Sequence, residues 1–191
     1  MSRVTEGRDL SPPGSSLRYG QPWADPLSQR DPVRQARSRL PAPVTVWTAG
    51  DAEWAGLTVS SVMVAQGTPG RLLGLIGPDS DLGEMLDRTG SFVVHLLGDC
   101  PEHRRLAQHF AGTLSADPVL LAVEASSHGP RLVAVEDQLA CHVSRSVPCG
   151  WSQLIEADID AIRLGSLDGS ASPSSSRRAL VWYRGELRNW R

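Results

Sequence analysis

The sequence predicts a mainly β protein, an antiparallel barrel with a few helices packed outside it. About nine segments alternate apolar and polar residues or run apolar over strand lengths, and three segments carry helix punctuation. Turns rather than regular helices separate most of these strands, which favours antiparallel pairing. The chain has 191 residues, of which 40% are hydrophobic, so it can bury one substantial core.

The first elements lie between a low-complexity N-terminus and the first hairpin. Residues 1–30 are rich in Pro, Ser, Gly and Arg and predict a flexible arm, whereas 31–191 form the domain. DPVRQARSRL predicts a short helix, because Asp31 stands at an N-cap position and Pro32 in the first turn. PVTVWTAG and GLTVSSVMVA then predict two strands of a hairpin.

Beyond the first hairpin, strands and helices alternate along the chain as far as Gly112, and only strands are predicted after it. RLLGLIG and SFVVHLL predict strands, DLGEMLDRTG a helix capped by Asp81 and closed by Gly90, and PEHRRLAQHFAG a helix from Pro101 to Gly112. Five further strands are predicted at LLAVEA, RLVAVE, QLACHVSRSV, LIEADIDAIRL and ALVWYRG. The Ser/Gly-rich segment 165–179 predicts a flexible loop before the last strand.

Composition excludes several functions. A formal charge of −2 and a pI of about 6.2 argue against nucleic-acid or anionic-membrane partners. The chain has no lysine, which excludes a Schiff-base lysine and a P-loop lysine. It shows no eighteen-residue apolar run and no secretory leader, so we expect a cytoplasmic protein.

Neither the cysteines nor the histidines predict a metal site. Cys100, Cys141 and Cys149 are odd in number and lack CxxC spacing, so reduced thiols are expected. His103 and His109 are six residues apart, which does not place both on one helix face.

Two groups of polar residues lie within predicted strands. Glu156, Asp158 and Asp160 alternate, which favours one solvated acidic face over a metal or acid–base site. The hydroxyls of AGLTVSSVM, residues 55–63, have two interpretations. At a barrel mouth they can donate hydrogen bonds to phosphate oxygens, and at a bulge they bond only the local backbone.

Several stretches, taken in order, resemble the flavin reductase-like family over roughly residues 40–188. PVTVWTAGDAEWAGLTVSSV is similar to its first hairpin and flavin-binding segment, and LLGLIGPDS to the strand and turn that follow. GSFVVHLL, LAQHFAG and ALVWYRGEL resemble later family segments. The resemblance implies an FMN-binding split β-barrel, antiparallel and Greek-key-like, with peripheral helices.

The resemblance also implies a homodimer that binds FMN or FAD and takes hydride from NADH or NADPH, in some cases for a partner monooxygenase. No catalytic side chain is expected, since the flavin carries the redox chemistry. The residues implied at the cofactor are Thr58, Val59, Ser60, Ser61, Ile76, Ser80, Phe110 and Ala111, and those implied at the substrate are Trp151, Ser152 and Tyr183.

The sequence departs from the family pattern at three places. His95 stands where the family has Asn, Leu82 where it has Thr, and Trp151–Ser152 where it has Asp–His. Trp151 can stack on the flavin or pack under a loop. Two functions therefore stay open: a flavin reductase, or a non-catalytic or divergent flavin- or deazaflavin-binding dimer that does not use nicotinamide nucleotides.

Overall fold

The computed structural model describes residues 31–165 and 178–190, so the predicted arm at 1–30 and most of the predicted loop at 165–179 lie outside the described residues. The predicted class is confirmed, with strands that outnumber the helices and are all paired antiparallel in the described part. The helices are α1 (Pro32–Ser38), α2 (Asp81–Thr89) and α3 (Pro101–Phe110). The strands are β1 (Ala42–Pro43), β2 (Thr45–Gly50), β3 (Trp54–Val59), β4 (Val62–Ala65), β5 (Gly70–Ile76), β6 (Ser91–Leu96), β7 (Val123–Glu124), β8 (Arg131–Leu132), β9 (Gln138–Cys149), β10 (Ser152–Arg163), β11 (Leu180–Tyr183) and β12 (Glu186–Asn189).

The helix ends follow local capping chemistry. Asp31 caps α1 as predicted, since its carboxylate accepts the N–H of Val33 at 2.9 Å. The predicted cap of α2 is wrong by one residue: Ser80, not Asp81, is the N-cap, and its hydroxyl accepts the N–H of Gly83 at 3.1 Å. A hydroxyl one residue outside the helix reaches this N–H, whereas Asp81 already lies in the first turn. Gly90 closes α2 with a φ of 66°.

Seven strands form one sheet in the order β3-β2-β6-β9-β10-β5-β4. The segment predicted as a single strand, GLTVSSVMVA, is in fact two strands at opposite edges of this sheet, separated by Ser60 and Ser61. The two edges are consecutive in the chain, so the sheet must curl back on itself between them, as in a barrel. Residues 58–61 therefore form the corner where the barrel closes, which we call the hydroxyl corner.

The barrel interior is filled by aromatic and aliphatic side chains. Trp47 of β2 stacks on Phe92 of β6 with ring centroids 4.7 Å apart, and both side chains are fully buried. The indole also lies against the backbone of Gly74, where an added Cβ would stand 2.6 Å from the ring. Glycine on β5 is thus required for the tryptophan of β2 to span the interior.

A smaller sheet, in the order β1-β11-β12, covers a second apolar cluster with α3. The predicted strand ALVWYRG contains β11 and the turn that follows it, whereas the sequence predicts neither β12 nor β1. The segments LLAVEA and RLVAVE are mostly not strands, because only the two-residue pairs β7 and β8 form there. Residues 118–121 instead form a turn, in which the Leu120 N–H is bonded to the carbonyl of Asp117.

Candidate functional site

The hydroxyl corner holds three hydroxyls in different states. Thr58 Oγ1 donates to the carbonyl of Ala107 on α3 at 2.7 Å. Ser61 Oγ donates to the carbonyl of Leu75 at 2.9 Å and accepts the N–H of the same residue at 3.1 Å. No hydrogen bond joins the Ser60 side chain to any residue within 31–165 or 178–190. Ser60 is therefore the hydroxyl of the corner that is available to a ligand.

The end of β5 lies beside this corner. Ile76 and Val59 are each 3% exposed and pack in the barrel core, so they form a rigid floor rather than an open surface. Ser80 lies in the turn after Ile76, where it also donates to the carbonyl of Gly77 at 2.7 Å. Its hydroxyl is thus engaged at the start of α2 and has a structural role there.

The hairpin tip between β9 and β10 reaches the same end of the barrel. Ser152 pairs with Cys149 across the tip, and the next residue, Gln153, pairs with Ile76 of β5. Trp151 is 57% exposed, so it does not pack under a described loop. The structure consequently brings Trp151 and Ser152 towards Ile76 and the turn that holds Ser80.

The C-terminal end of α3 packs on β3. The Phe110 ring lies on Gly56, where an added Cβ would be 2.5 Å from Cε1, and it contacts Trp54 at a centroid distance of 6.1 Å. Ala111 follows as the exposed C-cap, with its N–H bonded to the carbonyl of Ala107. Because Thr58 bonds that same carbonyl, Phe110 and Ala111 are tied to the hydroxyl corner through α3.

Tyr183 is separate from these residues in its contacts. It ends β11 in the smaller sheet, and the guanidinium carbons of Arg184 and Arg188 lie 5.4 and 5.9 Å from its ring centroid. Neither of these two arginines is one of the other residues predicted at the site. A shallow apolar pocket of about 290 Å³ lies near the same sheet, lined by Pro43, Leu97 and Val181 among others, and it too contains none of them.

His95 is structural rather than part of the site. It is fully buried, its Nε2 accepts the N–H of Leu132 at 2.9 Å, and its Nδ1 lies 3.0 Å from the carbonyl of Val46. Since Nε2 must be an acceptor, the proton lies on Nδ1 and is donated to Val46. Desolvation lowers the pKa of His95 to about 4, so the ring is neutral at pH 7. At this departure from the family pattern, both ring nitrogens are therefore bonded to backbone groups of the protein.

A charged network that sequence reasoning missed covers the outer face of β5, β9 and β10. Asp160 Oδ2 lies 2.8 Å from both His128 Nε2 and His142 Nδ1, and Arg71 pairs with Glu156 and Asp158. The hydrogen bond from His142 is the main cause that lowers the pKa of Asp160. The residues of the predicted acidic face thus pair with Arg71, His128 and His142, which lie on other elements. The register that places Arg71 opposite Asp158 was not visible in the sequence.

Across the described ranges, no group of three or more His, Cys, Asp or Glu residues is arranged to hold a metal ion. All three cysteines are free thiols. None of the described helices is both long and apolar enough to cross a membrane.

Comparisons with known proteins agree with the mainly β, barrel-like fold described above. A family model described as "Flavin reductase like domain" matches residues 37–191. No curated protein matches. Among solved structures, the flavin reductase PheA2 is 20% identical with a TM-score of 0.70, and covers 83% of this chain and 96% of its own.

Two further structures give similar values. The NADH:FAD oxidoreductase SgcE6 of Streptomyces globisporus C-1027, in complex with NAD and FAD fragments, is 21% identical with a TM-score of 0.67, over 83% of this chain and 91% of that one. The styrene monooxygenase flavin reductase of Pseudomonas putida S12 is 19% identical with a TM-score of 0.67, over 83% and 97%. At these identities the likeness establishes the fold.

Proposed function

The chain belongs to the flavin reductase-like family, and on that premise we propose that it binds FMN or FAD at the hydroxyl corner and reduces it with NADH or NADPH. The observation that carries the proposal is the state of the corner, where Thr58 and Ser61 fix the backbone and leave the Ser60 hydroxyl without a protein partner among the described residues. A phosphate or ribityl oxygen is the acceptor that such a hydroxyl would serve.

The residues around the corner fit the parts of a flavin. Val59 and Ile76 offer a rigid floor that costs no ordering on binding, since both are already buried. Trp151 presents an exposed indole at the neighbouring hairpin tip, which suits stacking on an isoalloxazine ring. Phe110 and Ala111 would approach from the end of α3, and Ser80 and Ser152 would border the ligand. Tyr183 is the predicted site residue with the least support, because its ring contacts Arg184 and Arg188 rather than residues of the hydroxyl corner.

The flavin, when bound, would supply the redox chemistry. The chain would bind and orient it through Ser60, keep water from one ring face with Trp151, and hold the corner rigid through Thr58 and Ser61. We assign no proton transfer to a side chain, because the buried His95 is neutral and both its nitrogens are bonded to backbone.

Partner and substrate proposals come from the similar proteins. One is a styrene monooxygenase flavin reductase and another, BorF, is the flavin reductase component of a two-component tryptophan halogenase. By analogy, the product here is reduced flavin for a partner monooxygenase. SgcE6 was solved with NAD and FAD fragments, which supports a nicotinamide nucleotide as the reductant. We further propose a cytoplasmic homodimer, with residues 1 to about 25 dispensable for the fold.

A second function is favoured by one observation. Trp151 and Ser152 replace the Asp–His pair that the family pattern leads one to expect, and the exposed indole is bulky enough to occupy the place of a nicotinamide ring. The alternative is therefore a dimer that binds a flavin or deazaflavin without using nicotinamide nucleotides.

The test is a titration of the purified protein with FMN, FAD and riboflavin, followed by visible absorption and flavin fluorescence. We expect saturable binding of FMN or FAD and weaker binding of riboflavin, because riboflavin lacks the phosphate. Absence of binding for all three would refute the reductase and leave only a deazaflavin as the ligand of the second function. Binding without reduction by either nucleotide would leave only the second.

A further inference from the structure

Four arginines surround the junction of α1 with the β11–β12 turn. The carbonyl of Ser38, the last residue of α1, accepts the N–H of Arg184 at 2.7 Å. Arg37 and Arg39 flank Ser38 in sequence and therefore lie beside the turn, while Arg188 shares the Tyr183 ring with Arg184. All four side chains are exposed. We call Arg37, Arg39, Arg184 and Arg188 the arginine surface.

This surface carries an excess of positive charge. Arg188 pairs with Glu186 at 2.8 Å, whereas no described carboxylate lies within ion-pair distance of Arg37, Arg39 or Arg184. Four arginines and one glutamate leave a charge of about +3 here, although the whole chain has a formal charge of −2. Elsewhere, Arg71, Arg104 and Arg131 are all paired with carboxylates. The arginine surface thus gathers three arginines without an ion pair, while Arg105, Arg145 and Arg163, which also have none among the described carboxylates, lie on other elements.

Arg184 is held there against the preference of its backbone. Its φ is 52° and that of Gly185 is 84°, the left-handed pair of a two-residue hairpin turn, in which Asn or Gly is favoured at the first position. An arginine in this conformation costs about 1 kcal/mol. Stacking of Arg184 and Arg188 on the Tyr183 ring limits the freedom of both guanidinium groups, so less entropy is lost when they bind carboxylates.

The shape indicates a macromolecular partner rather than a small ligand. α1 has no buried residue, and the turn projects at a hairpin tip, so the surface is not concave. The apolar pocket near β1 and β11 is lined by none of the four arginines. Val33, one helical turn before Arg37, is 74% exposed, and Leu40, next to Arg39, is 66% exposed. Exposed apolar residues beside arginine and tyrosine are typical of protein interfaces.

We propose that the arginine surface docks an acidic surface of a partner protein. A nucleic acid is disfavoured because the Tyr183 ring is approached by guanidinium groups and offers no open stacking platform. The contact would steer association electrostatically and weaken with salt. This proposal does not depend on flavin binding.

The experiment uses the full chain and a fluorescein-labelled poly-glutamate peptide, with binding followed by anisotropy at low and at raised ionic strength. The test variant is Arg37→Gln with Arg184→Asn, in which asparagine tolerates the left-handed turn. The control is Arg105→Gln with Arg145→Gln, two exposed arginines on α3 and β9 without an ion pair to a described carboxylate, so both variants lose the same net charge. We expect affinity to fall at least about fivefold in the test variant and to change little in the control.

Three results would overturn the proposal. The first is no binding of poly-glutamate at low ionic strength, and the second is an equal loss of affinity in both variants. The third is tighter binding of a single-stranded oligonucleotide, or of vesicles with anionic lipid, than of poly-glutamate. Circular-dichroism melts of both variants establish that the fold is intact before affinities are compared.

Discussion

The hydroxyl of Ser61 takes the place of a strand partner for Leu75: it accepts the N–H of that residue at 3.1 Å and donates to its carbonyl at 2.9 Å. The neighbouring pair, Val62 with Gly74, is the first of the regular β4–β5 ladder. One side chain therefore continues the ladder across the point where the barrel closes. The side chain of Ser60, one residue earlier, makes no hydrogen bond to the described residues. This difference between the adjacent serines can be tested.

Ser61→Ala should lower the free energy of unfolding by about 1 to 3 kcal/mol, because a backbone N–H and a carbonyl lose their partner in a half-buried site. Ser60→Ala should change it by less than about 0.5 kcal/mol. Urea denaturation followed by tryptophan fluorescence measures both. Equal destabilisation by the two variants would contradict the assignment of Ser61 as the closing residue.

Ser60→Ala should weaken flavin binding by roughly tenfold or more, since a hydrogen bond to a charged acceptor contributes about 1.5 to 3 kcal/mol. The phosphate interpretation makes a second prediction: the loss should be seen with FMN and not with riboflavin. Ser146→Ala, an exposed serine on β9, is the matched control. An unchanged FMN affinity in Ser60→Ala would mean that this hydroxyl does not bind the cofactor.

The sequence predicted what depends on local pattern. Alternating runs marked β5, β6, β9 and β10, and proline and glycine marked the helix ends. It did not predict that the chain changes sheet edges at Ser60, because a hydroxyl pair within an apolar run has the same pattern in a continuous strand. Nor did it predict the LLAVEA turn, whose apolar residues pack against a distant cluster.

For the site as well, the sequence predicts which segment is involved but not which partners its residues have. The GLTVSS segment could be selected from its residues and from the family resemblance, but the roles of its members depend on partners far away in sequence, Ala107 for Thr58 and Leu75 for Ser61. Likewise, His128 and His142 acquire a common partner, Asp160, only when a loop and two strands meet. Pairing across such distances is set by register, which no local pattern contains.

Gly56→Ala should destabilise the protein by about 1 to 3 kcal/mol, because the new Cβ would clash with the Phe110 ring. If the ring is the cause, the same substitution in a Phe110→Ala background should cost much less. A double-mutant cycle by thermal denaturation measures the coupling. Additive effects would show that Gly56 is needed for another reason.

Acid should destabilise the fold through His95. Its pKa is lowered from 6.5 to about 4 in the folded protein, so between these values the unfolded chain binds the extra proton. The stabilisation is complete above pH 6.5 and is lost as the pH falls towards 4, by about 3 kcal/mol in total. His95→Asn removes the titrating group, so its unfolding free energy should vary less over this range. Parallel pH profiles for the two proteins would contradict this.

The second function predicts that hydride transfer from NADH or NADPH is slow even when flavin is bound, because Trp151 would obstruct the approach of a nicotinamide ring and the rate depends steeply on that approach. Anaerobic bleaching of the visible flavin absorption provides the measurement. Exchanging Trp151→Asp and Ser152→His together should accelerate it. Rapid bleaching of the unaltered protein by either nucleotide would show that the indole does not block the site.

The position of β3 and β4 at opposite edges of one sheet has a kinetic consequence. The sheet that joins these two edges is complete only when its non-local pairs have formed, β6 with β9 and β5 with β10, as in Leu75 with Leu154. Such non-local pairings make a β protein slow to fold, on a scale of about milliseconds to seconds. The closed barrel around Ser60 should therefore be complete only late in folding. On the proposed function, flavin can bind only after the barrel has closed around this corner. Flavin uptake during refolding would therefore report when closure of the barrel occurs.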